Sequence, residues 1–288
     1  MTTIPNVDAN LAPFAERFDD LTVLVARAAA AILGVDPASV ARRRKEDHSF
    51  VSAADEIAQA TILEGLAGLF PALPVVSEEA AGPPPRDISR QCFALVDPLD
   101  GTREFLDGRT EYTVNLAIVS RGMASIGIIA APSLGLIWRG ISGTLAERLR
   151  FDAARPGVPA DRIAIRSERL DPNRLRVIVS RSHLDPDTAA LMARLAVSEQ
   201  IRCGSSLKFC RLAEGAADVY PRLAPTSEWD IAAGDALLTA AGGIVTDPDG
   251  GRIAYGGLDR GFRVPAFLAC ADRAGLDRLL ARHRGERT

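Results

Sequence analysis

The chain has 288 residues, of which 47% are hydrophobic and 25% charged, and its 34 basic and 37 acidic side chains leave a net charge of −3. This length and composition exclude a disordered chain and a small disulfide scaffold. No block of five or six like charges is present, and no apolar stretch reaches the roughly 20 residues that span a bilayer. The sequence therefore predicts neither a nucleic-acid surface nor an integral membrane segment.

Three helices are predicted in chain order. The first covers Leu11–Leu33 and ends at Gly34. The second begins at Ser52, which can cap it, and its apolar side chains recur at helical spacing until Pro71. The third covers Asp230–Ala241 and is followed by a pair of glycines, which are typical of a helix end. Weaker helix candidates are Pro186–Ala196, Ser205–Glu214 and Arg273–His283.

Apolar runs with strand character lie between these helices. In one of them, apolar and polar side chains alternate, as expected of a strand with one buried face, and the next two runs follow closely enough to form an antiparallel meander. Interleaved strands and helices predict an α/β or α+β protein. The runs are Pro74–Ser77, Cys92–Val96, Tyr112–Ser120 (the alternating one), Ala124–Ala131, Gly135–Ile141, Leu175–Ser180, Gly243–Thr246 and Ala266–Ala271.

A change in pattern divides the chain into two parts. Pro156, Gly157 and Pro159 interrupt the regular elements within Asp152–Asp161, after the meander and before a new alternation of strands and helices. We therefore expect an N-terminal α+β part, residues 1–155, and a C-terminal α/β part, residues 156–288.

The cysteines and the N-terminus indicate a cellular location. The four cysteines are spaced too irregularly for a zinc site or a disulfide framework, so we expect reduced, mostly buried thiols. The first residues lack the basic start and apolar core of a signal peptide. The sequence therefore predicts a cytoplasmic protein, with a peripheral position at the inner membrane left open. The cysteines are Cys92, Cys203, Cys210 and Cys270.

The stretch from Asp97 to Thr102 places two carboxylates three residues apart, directly after an apolar strand. Pro98 makes the turn rigid and Gly101 permits a tight backbone. The loop could therefore bind cations through Asp97 and Asp100 and offer backbone N–H groups to an anion. Taken alone, the same residues are more typical of an acidic turn.

Three further carboxylates lie at the ends of predicted elements. Glu78 follows an apolar strand, Asp55 lies in the first turn of the second helix, and Asp230 begins the third helix. Separately, each could be a surface or helix-capping residue. Together they supply the oxygen ligands that Mg²⁺ prefers, and two cations roughly 3.5–4 Å apart can bind an attacking water and a leaving oxygen at phosphorus.

Other hydrolytic chemistries are disfavoured. The chain has three histidines and none of the motifs G-x-S-x-G, H-E-x-x-H, G-x-G-x-x-G or the P-loop. A serine or cysteine hydrolase is therefore not expected. The segment Asp247–Gly251 begins like a calcium loop but lacks the later ligands, so we interpret it as a turn between two strands.

Several segments resemble the motifs of the inositol monophosphatase superfamily of Mg²⁺-dependent, lithium-sensitive phosphatases, namely Val75–Glu79, Val96–Phe105 and Trp229–Gly243. Within that superfamily, Ser180–His183 and Gly204–Cys210 are similar to segments of the CysQ-type 3′(2′),5′-bisphosphate nucleotidases. The resemblance implies a layered αβαβα fold. It also implies removal of the 3′-phosphate of adenosine 3′,5′-bisphosphate to give AMP.

The resemblance further implies roles for single residues. Asp55 and Thr102 match the pair that activates water, and the backbone N–H groups of Gly101 and Thr102 would hold the scissile phosphate. Two or three Mg²⁺ ions, a small phosphorylated nucleotide as substrate and a homodimer are expected. The implied metal ligands are Glu78, Asp97, Asp100, Asp230 and the backbone carbonyl of Leu99. The implied substrate contacts are Gly101, Thr102, His183, Ser205, Lys208 and Arg222.

One departure from the family pattern precedes Asp55, where Phe50 and Ser52 stand in place of the usual proline and threonine. We expect the role of Asp55 to survive this change. Two alternatives stay open. One is the same chemistry on inositol monophosphate or a sugar phosphate such as fructose 1,6-bisphosphate, and the other is a non-catalytic, metal-binding regulatory protein with the same fold. Lys208 and Arg222 favour a bisphosphate, because they can bind the phosphate that is not cleaved.

Overall fold

The structure, a computed structural model, describes residues 8–40, 43–44, 50–80, 88, 92–157, 160–171, 174–182, 184–195 and 197–283. The helices of these residues are α1 (Ala12–Glu16), α2 (Phe18–Leu33), α3 (Ala53–Leu69), α4 (Thr102–Leu106), α5 (Pro186–Arg194), α6 (Leu207–Ala213), α7 (Glu228–Ala240) and α8 (Arg273–His283), with 3₁₀ turns at Pro132–Leu134 and Leu258–Arg260.

The first nine strands are β1 (Arg43–Arg44), β2 (Phe50–Val51), β3 (Val75–Ser77), β4 (Phe93–Asp100), β5 (Thr113–Ser120), β6 (Met123–Ala131), β7 (Leu136–Ile141), β8 (Leu145–Arg150) and β9 (Ala160–Ala164). The others are β10 (Leu175–Ser180), β11 (Val197–Cys203), β12 (Val219–Arg222), β13 (Thr226–Ser227), β14 (Ile244–Thr246), β15 (Arg263–Val264) and β16 (Phe267–Cys270).

Two large sheets organise these strands. One has seven strands in the order β3-β4-β5-β6-β7-β8-β9, with β3 parallel to β4 and the other pairs antiparallel. The other has five strands in the order β11-β10-β12-β16-β14, with both parallel and antiparallel pairs. The predicted meander is confirmed, because β5, β6 and β7 pair in sequence.

Helices cover both faces of each sheet. Helices α1, α2 and α3 pack on one face of the seven-stranded sheet, in a core that includes Leu21, Ile62 and Val96. The opposite face packs on α6 and α7, which also contact the inner face of the five-stranded sheet. Helices α5 and α8 cover the outer face of that sheet. The layers therefore follow the order αβαβα, which confirms the predicted fold class.

The central strand β10 shows why some apolar runs of the sequence are continuous rather than alternating. In β10, Val177 and Val179 pack in the outer core while Ile178 between them packs in the inner core, so both faces of this strand are buried. A strand with two buried faces needs an apolar side chain at every position. Strand β5 is also buried throughout, rather than on one face as predicted, although Thr113 and Asn115 on it are polar.

Some elements differ from the sequence-based prediction. The first helix is interrupted at Arg17, where the backbone leaves helical geometry, and so forms α1 and α2. Strands β8, β9 and β11 were not predicted, because charged residues interrupt their apolar positions, and β12 was not predicted, because it is short and contains Pro221. Strand β9 pairs with β8, so the seven-stranded sheet extends to Ala164, beyond the predicted division at residue 155. That division stays a prediction.

The cysteines and the turn at Asp247 agree with the predictions from sequence. All four cysteines are free, and three of them are buried while Cys92 is half-buried, as predicted. The Asp247 side chain accepts hydrogen bonds from the backbone N–H groups of Asp249 and Gly251, which confirms a turn there. Within the described ranges, no helix combines the length and apolarity that crossing a bilayer requires.

Helix α7 packs closely on the seven-stranded sheet because two strand glycines leave room for it. A Cβ atom on Gly127 would lie 2.1 Å from the carbonyl oxygen of Ala233, and one on Gly140 would lie 2.7 Å from the Cβ of Ala240. Real Cβ atoms do not come this close to other atoms, so only glycine fits at either position. This packing fixes the helix whose first turn carries Asp230.

Replacing Gly127 with alanine is therefore expected to lower the free energy of unfolding by roughly 1–3 kcal/mol, because the helix must move away from the sheet. Urea unfolding of Gly127→Ala measures this. Gly68→Ala is the matched control, since a Cβ there meets no atom within 4 Å and the position lies in the exposed face of α3. The control should be as stable as the parent or more stable. Equal stability of the two variants would show that α7 does not need the glycine.

Helix α7 also carries Asp235, a half-buried carboxyl group outside the cleft that is described below. Asp235 accepts hydrogen bonds from the Tyr255 hydroxyl at 2.8 Å and the Thr239 hydroxyl at 3.1 Å. Burial raises the pKa of Asp235 from 3.8 to about 6. The folded protein therefore binds this proton more tightly than the unfolded chain does, so the associated stability is full below pH ~4 and is lost as the pH rises through about 6.

An Asp235→Asn variant should remove this pH dependence. We expect the free energy of unfolding of the variant, minus that of the parent, to increase by roughly 3 kcal/mol between pH 4 and pH 7, from about two pKa units at 1.36 kcal/mol each. Chemical denaturation at a series of pH values measures the difference. A difference that stays constant across this range would mean that Asp235 titrates normally.

Candidate active site

Most of the predicted site residues line one cleft of about 410 Å³ between the two large sheets. It lies where β3 and β4 end and where α4 and α7 begin. Asp55 contacts the cleft through Thr102, and His183 lies outside the described residues. The predicted residues that line the cleft are Glu78, Asp97, Leu99, Asp100, Gly101, Thr102, Ser205, Lys208, Arg222 and Asp230.

Three carboxylates from three separate elements meet at one side of this cleft. Glu78, Asp97 and Asp230 each offer an oxygen, and these oxygens all lie within 4.8 Å of one another. Asp97 is only 1% exposed. Burial, followed by repulsion from Glu78 and Asp100, raises the pKa of Asp97 well above its usual range. The pKa of Asp230 is raised too, first by burial and then by Asp100.

The chemistry of this donor set fits a hard divalent cation. Buried, mutually repelling carboxylates are unfavourable unless a positive charge neutralises them. Carboxylate and carbonyl oxygens are the ligands that such cations bind. Among the residues that the structure describes, Glu78, Asp97 and Asp230 can therefore hold a metal ion, with Asp100 close enough to repel Asp97 and Asp230.

Two of the predicted carboxylates also cap helices. Asp55 and Asp230 occupy the third helical position of α3 and α7, and each accepts a hydrogen bond from the backbone N–H of the residue before its helix, Ser52 at 2.8 Å and Ser227 at 2.9 Å. The hydroxyl of Thr226 also donates to Asp230. A carboxylate has about four acceptor positions, so capping leaves capacity for a second partner.

Asp55 uses that capacity within the cleft. Its Oδ2 accepts hydrogen bonds from the backbone N–H and the hydroxyl of Ser52, and its Oδ1 accepts from the Thr102 hydroxyl at 2.9 Å. Burial raises the pKa of Asp55, although these hydrogen bonds lower it in part. The Ser52 that departs from the family pattern thus holds Asp55 in place.

The end of β4 bends to present its polar groups. Pairing with β5 becomes irregular between Asp97 and Asp100, and the N–H of Leu99 donates to Asp97 at 3.1 Å. Gly101 has a φ of +93°, and a Cβ there would lie 3.3 Å from the carbonyl oxygen of Glu111. Glycine is therefore the residue that this left-handed turn favours. The carbonyl oxygen of Leu99 lies 3.2 Å from the Thr102 hydroxyl.

Ser205, Lys208 and Arg222, three of the predicted substrate contacts, line the same cleft, and each has a partner within the protein. The Ser205 hydroxyl donates to Asp100 at 2.7 Å, so it contacts a predicted metal ligand directly. Lys208 is 3% exposed, and its ammonium group donates to the carbonyl oxygens of Ser205 and Cys203. Arg222 also lines the cleft, and its guanidinium group donates to the backbone carbonyl of Pro225 at 3.4 Å.

Sequence reasoning missed Glu104, which belongs to the cleft, and Glu228, which is buried outside its lining. Glu104 lines it, is 7% exposed and accepts a hydrogen bond from the Ser182 hydroxyl at 2.6 Å. Its signal was its place inside the motif that begins at Val96. Glu228 is fully buried and accepts from the backbone N–H groups of Gly256 and Gly257, and this burial raises its pKa. No local pattern distinguished it from the neighbouring Asp230.

Comparison with known proteins gives consistent matches. The sequence profile of the inositol monophosphatase family matches residues 16–286. The 3′(2′),5′-bisphosphate nucleotidase CysQ of Salmonella typhimurium is 38% identical over 237 residues, which cover 78% of this chain and 88% of that protein. The protein of the same name from Shigella flexneri is 36% identical over 236 residues, with 77% and 88% covered.

Solved structures agree with these matches. CysQ from Bacteroides thetaiotaomicron, described as a bacterial member of the inositol monophosphatase family, has a TM-score of 0.71 and 30% sequence identity, and covers 90% of this chain and 98% of its own. The suhB protein of Bartonella henselae has a TM-score of 0.74 at 23% identity, which is evidence for the fold alone.

Replacing Asp97 with asparagine is expected to have opposite effects on thermal stability without and with Mg²⁺. Without a cation, Asp97→Asn should unfold at a higher temperature than the parent at neutral pH, because it removes a buried, repelled charge. The parent should be stabilised by Mg²⁺, by about 2.7 kcal/mol at roughly 100 times the dissociation constant, and the variant should not.

Thermal unfolding in a chelator, followed by titration with MgCl₂, measures both effects. The control is Asp259→Asn, which changes an exposed carboxylate and should respond to Mg²⁺ as the parent does. Stabilisation of Asp97→Asn by Mg²⁺ to the same extent as the parent would show that Asp97 is not a ligand.

Proposed function

The chain belongs to the inositol monophosphatase family, and on that basis we propose that it is a metal-dependent phosphomonoesterase that converts adenosine 3′,5′-bisphosphate to AMP and phosphate. The observation that carries this proposal is the arrangement of one cleft. The carboxylate cluster, the Thr102 hydroxyl that donates to Asp55, and the cationic side chains of Lys208 and Arg222 all line this cleft. A bisphosphate needs cationic groups at both ends.

We assign Mg²⁺ to the carboxylate cluster. Glu78, Asp97, Asp100 and Asp230 would hold two or three ions together with the carbonyl oxygen of Leu99, and their oxygen chemistry suits this cation. Bound Mg²⁺ would neutralise charge on the transferred phosphoryl group and lower the pKa of water. Lithium sensitivity is expected from the same family resemblance.

Thr102 and Asp55 would move the proton. The Thr102 hydroxyl donates to Asp55 at 2.9 Å, so the lone pairs of its oxygen remain available to a water molecule. As the water is deprotonated, Thr102 would accept its proton and pass its own to Asp55. Burial raises the pKa of Asp55 and makes it a better proton acceptor, while Ser52 fixes its orientation.

The remaining steps follow from the position of these groups. The water oxygen would form a bond to phosphorus as the bond between phosphorus and the ribose 3′ oxygen breaks. That oxygen would take a proton from a second water molecule, and Asp55 would return the proton it accepted to solvent. No covalent enzyme intermediate is formed. The backbone N–H groups of Gly101 and Thr102 would hold the phosphate during this displacement.

A second group of residues would bind the nucleotide. Lys208 and Arg222 bring positive charge to the cleft, where the 5′-phosphate of the substrate would lie, and Ser205 and His183 complete the set proposed from the sequence. The four free thiols favour a reducing compartment, and so we propose the cytoplasm. A homodimer and a peripheral position at the inner membrane stay predictions.

The test is phosphate release from adenosine 3′,5′-bisphosphate, inositol 1-phosphate and fructose 1,6-bisphosphate, each with Mg²⁺, without it and with added Li⁺. We expect a strong preference for the nucleotide, dependent on Mg²⁺. Asp97→Asn should abolish turnover. Preference for inositol or sugar phosphate would replace the substrate and keep the chemistry. No release from any of them would favour a metal-binding regulatory protein.

Two arginine variants make the substrate assignment sharper. Arg222→Ala should lower kcat/KM for adenosine 3′,5′-bisphosphate by roughly tenfold to 100-fold. The value for adenosine 3′-monophosphate should fall much less, because this nucleotide has no 5′-phosphate for Arg222 to bind. Arg155→Ala, an exposed arginine on a distant turn, is the control and should change neither value. Equal losses on both nucleotides would separate Arg222 from the 5′-phosphate.

A further inference from the structure

One face of β5 contacts the loop Gly204–Ser206 residue by residue. Alternate side chains of a strand point to the same face, so Glu111, Thr113 and Asn115 share one side of the chain where it enters β5. These three side chains contact the three residues of the loop in the same order. The distances are 3.0 Å from the Gly204 N–H to the Glu111 carboxylate, 2.5 Å between the hydroxyls of Thr113 and Ser205, and 2.9 Å from the Asn115 amide to the Ser206 hydroxyl.

The other side of the loop acts on Asp100. The hydroxyls of Ser205 and Ser206 both donate to Asp100 Oδ2, at 2.7 Å and 3.0 Å. The Ser206 hydroxyl also lies 2.9 Å from the backbone carbonyl of Asp230. The loop therefore lies between β5 and a predicted metal ligand, and its two hydroxyls set the direction in which that carboxylate points.

Glu111 is the most firmly held of the three β5 contacts. Arg181, directly after β10, donates to both carboxylate oxygens, at 2.6 Å and 2.8 Å, and also donates to the carbonyl oxygen of Arg202 at 2.7 Å. The hydrogen bonds from Arg181 lower the pKa of Glu111, so it stays ionised. This bidentate pair joins the seven-stranded sheet to the five-stranded sheet at the rim of the cleft.

The backbone of Glu111 is equally confined. A Cβ atom on Gly204 would lie 2.7 Å from the carbonyl oxygen of Glu111, and one on Gly101 would lie 3.3 Å from the same oxygen. Glu111 thus lies between the turn that would hold the scissile phosphate and the loop that contacts Asp100. A shift of the Glu111 backbone would therefore disturb both.

The loop depends on these contacts because its backbone is strained. Ser205 has a φ of +53°, which lies in the left-handed region that residues with a side chain rarely adopt. Such a conformation persists only where the surroundings hold it. Without the anchor on Gly204, Ser205 can relax and withdraw its hydroxyl from Asp100.

We propose that Glu111 is a positioning residue of this site, which fixes the loop Gly204–Ser206 through Gly204 and thereby orients Asp100 toward a bound cation. The inference rests on the proposed metal site but on no particular substrate. Groups that orient metal ligands typically change metal affinity or activity by roughly 10-fold to 100-fold when they are removed. A purely structural ion pair would change stability and leave metal affinity unaltered.

The test is a calorimetric titration of the full chain with Mg²⁺ alone, without substrate. Glu111→Ala removes the carboxylate and should weaken Mg²⁺ binding by roughly tenfold. Glu111→Gln keeps one acceptor oxygen for the Gly204 N–H and should have a smaller effect. Asp19→Asn is the matched control. Like Glu111, Asp19 accepts hydrogen bonds from arginine side chains, in its case Arg139 and Arg162, but it lies on the outer layer of the fold. It should bind Mg²⁺ as the parent does.

The outcomes separate cleanly. Mg²⁺ affinity of Glu111→Ala within twofold of the parent, in a folded protein, overturns the proposal, as does a parent chain that binds no Mg²⁺. If Glu111→Ala does not fold, Glu111→Asp decides, since it keeps the negative charge beside Arg181 but shortens the side chain so that its carboxylate withdraws from the Gly204 N–H, and unchanged affinity there also overturns the proposal. Failure of the parent to hydrolyse any nucleotide would overturn the proposed substrate and leave this titration unaffected.

Discussion

Repulsion among closely spaced carboxylates, one of them buried, is the constraint on which this site depends. Glu78, Asp97 and Asp230 come from segments up to about 150 residues apart, yet their oxygens lie within 4.8 Å. Such a cluster forms only where the rest of the fold stabilises it by more than the repulsion destabilises it. The close fit of α7 on Gly127 and the burial of β4 provide that stability. A bound cation then converts the repulsion into affinity.

The same side chains build the fold and form the site. Asp55 and Asp230 cap α3 and α7, and capping aligns each carboxylate before any ligand is present. The sequence left capping and function as competing interpretations of these residues. The structure makes the choice unnecessary for Asp55, because one oxygen accepts from Ser52 while the other accepts from Thr102. The first turns of these helices therefore hold the carboxylates in fixed orientations.

Local patterns predicted most of the elements but not the contacts between distant segments. Apolar runs and turn residues placed β3 to β7 and the major helices within a few residues, because those signals act over short distances. Thr113 and Asn115 were read as the exposed face of a strand, since nothing near them in sequence shows that a loop about 90 residues later covers them. For the same reason Ser205 was assigned to substrate alone, and its hydrogen bond to Asp100 was missed.

The central position of α7 also restricts how the molecule can move. This helix packs on the seven-stranded sheet at Gly127 and Gly140 and shares one apolar core with the five-stranded sheet. A hinge that opened the cleft by swinging one sheet away from the other would pull Ala233 off Gly127 and expose that core to water. The packing of α7 therefore disfavours such a hinge and favours entry and departure of ligands through rearrangements of loops and side chains at the rim.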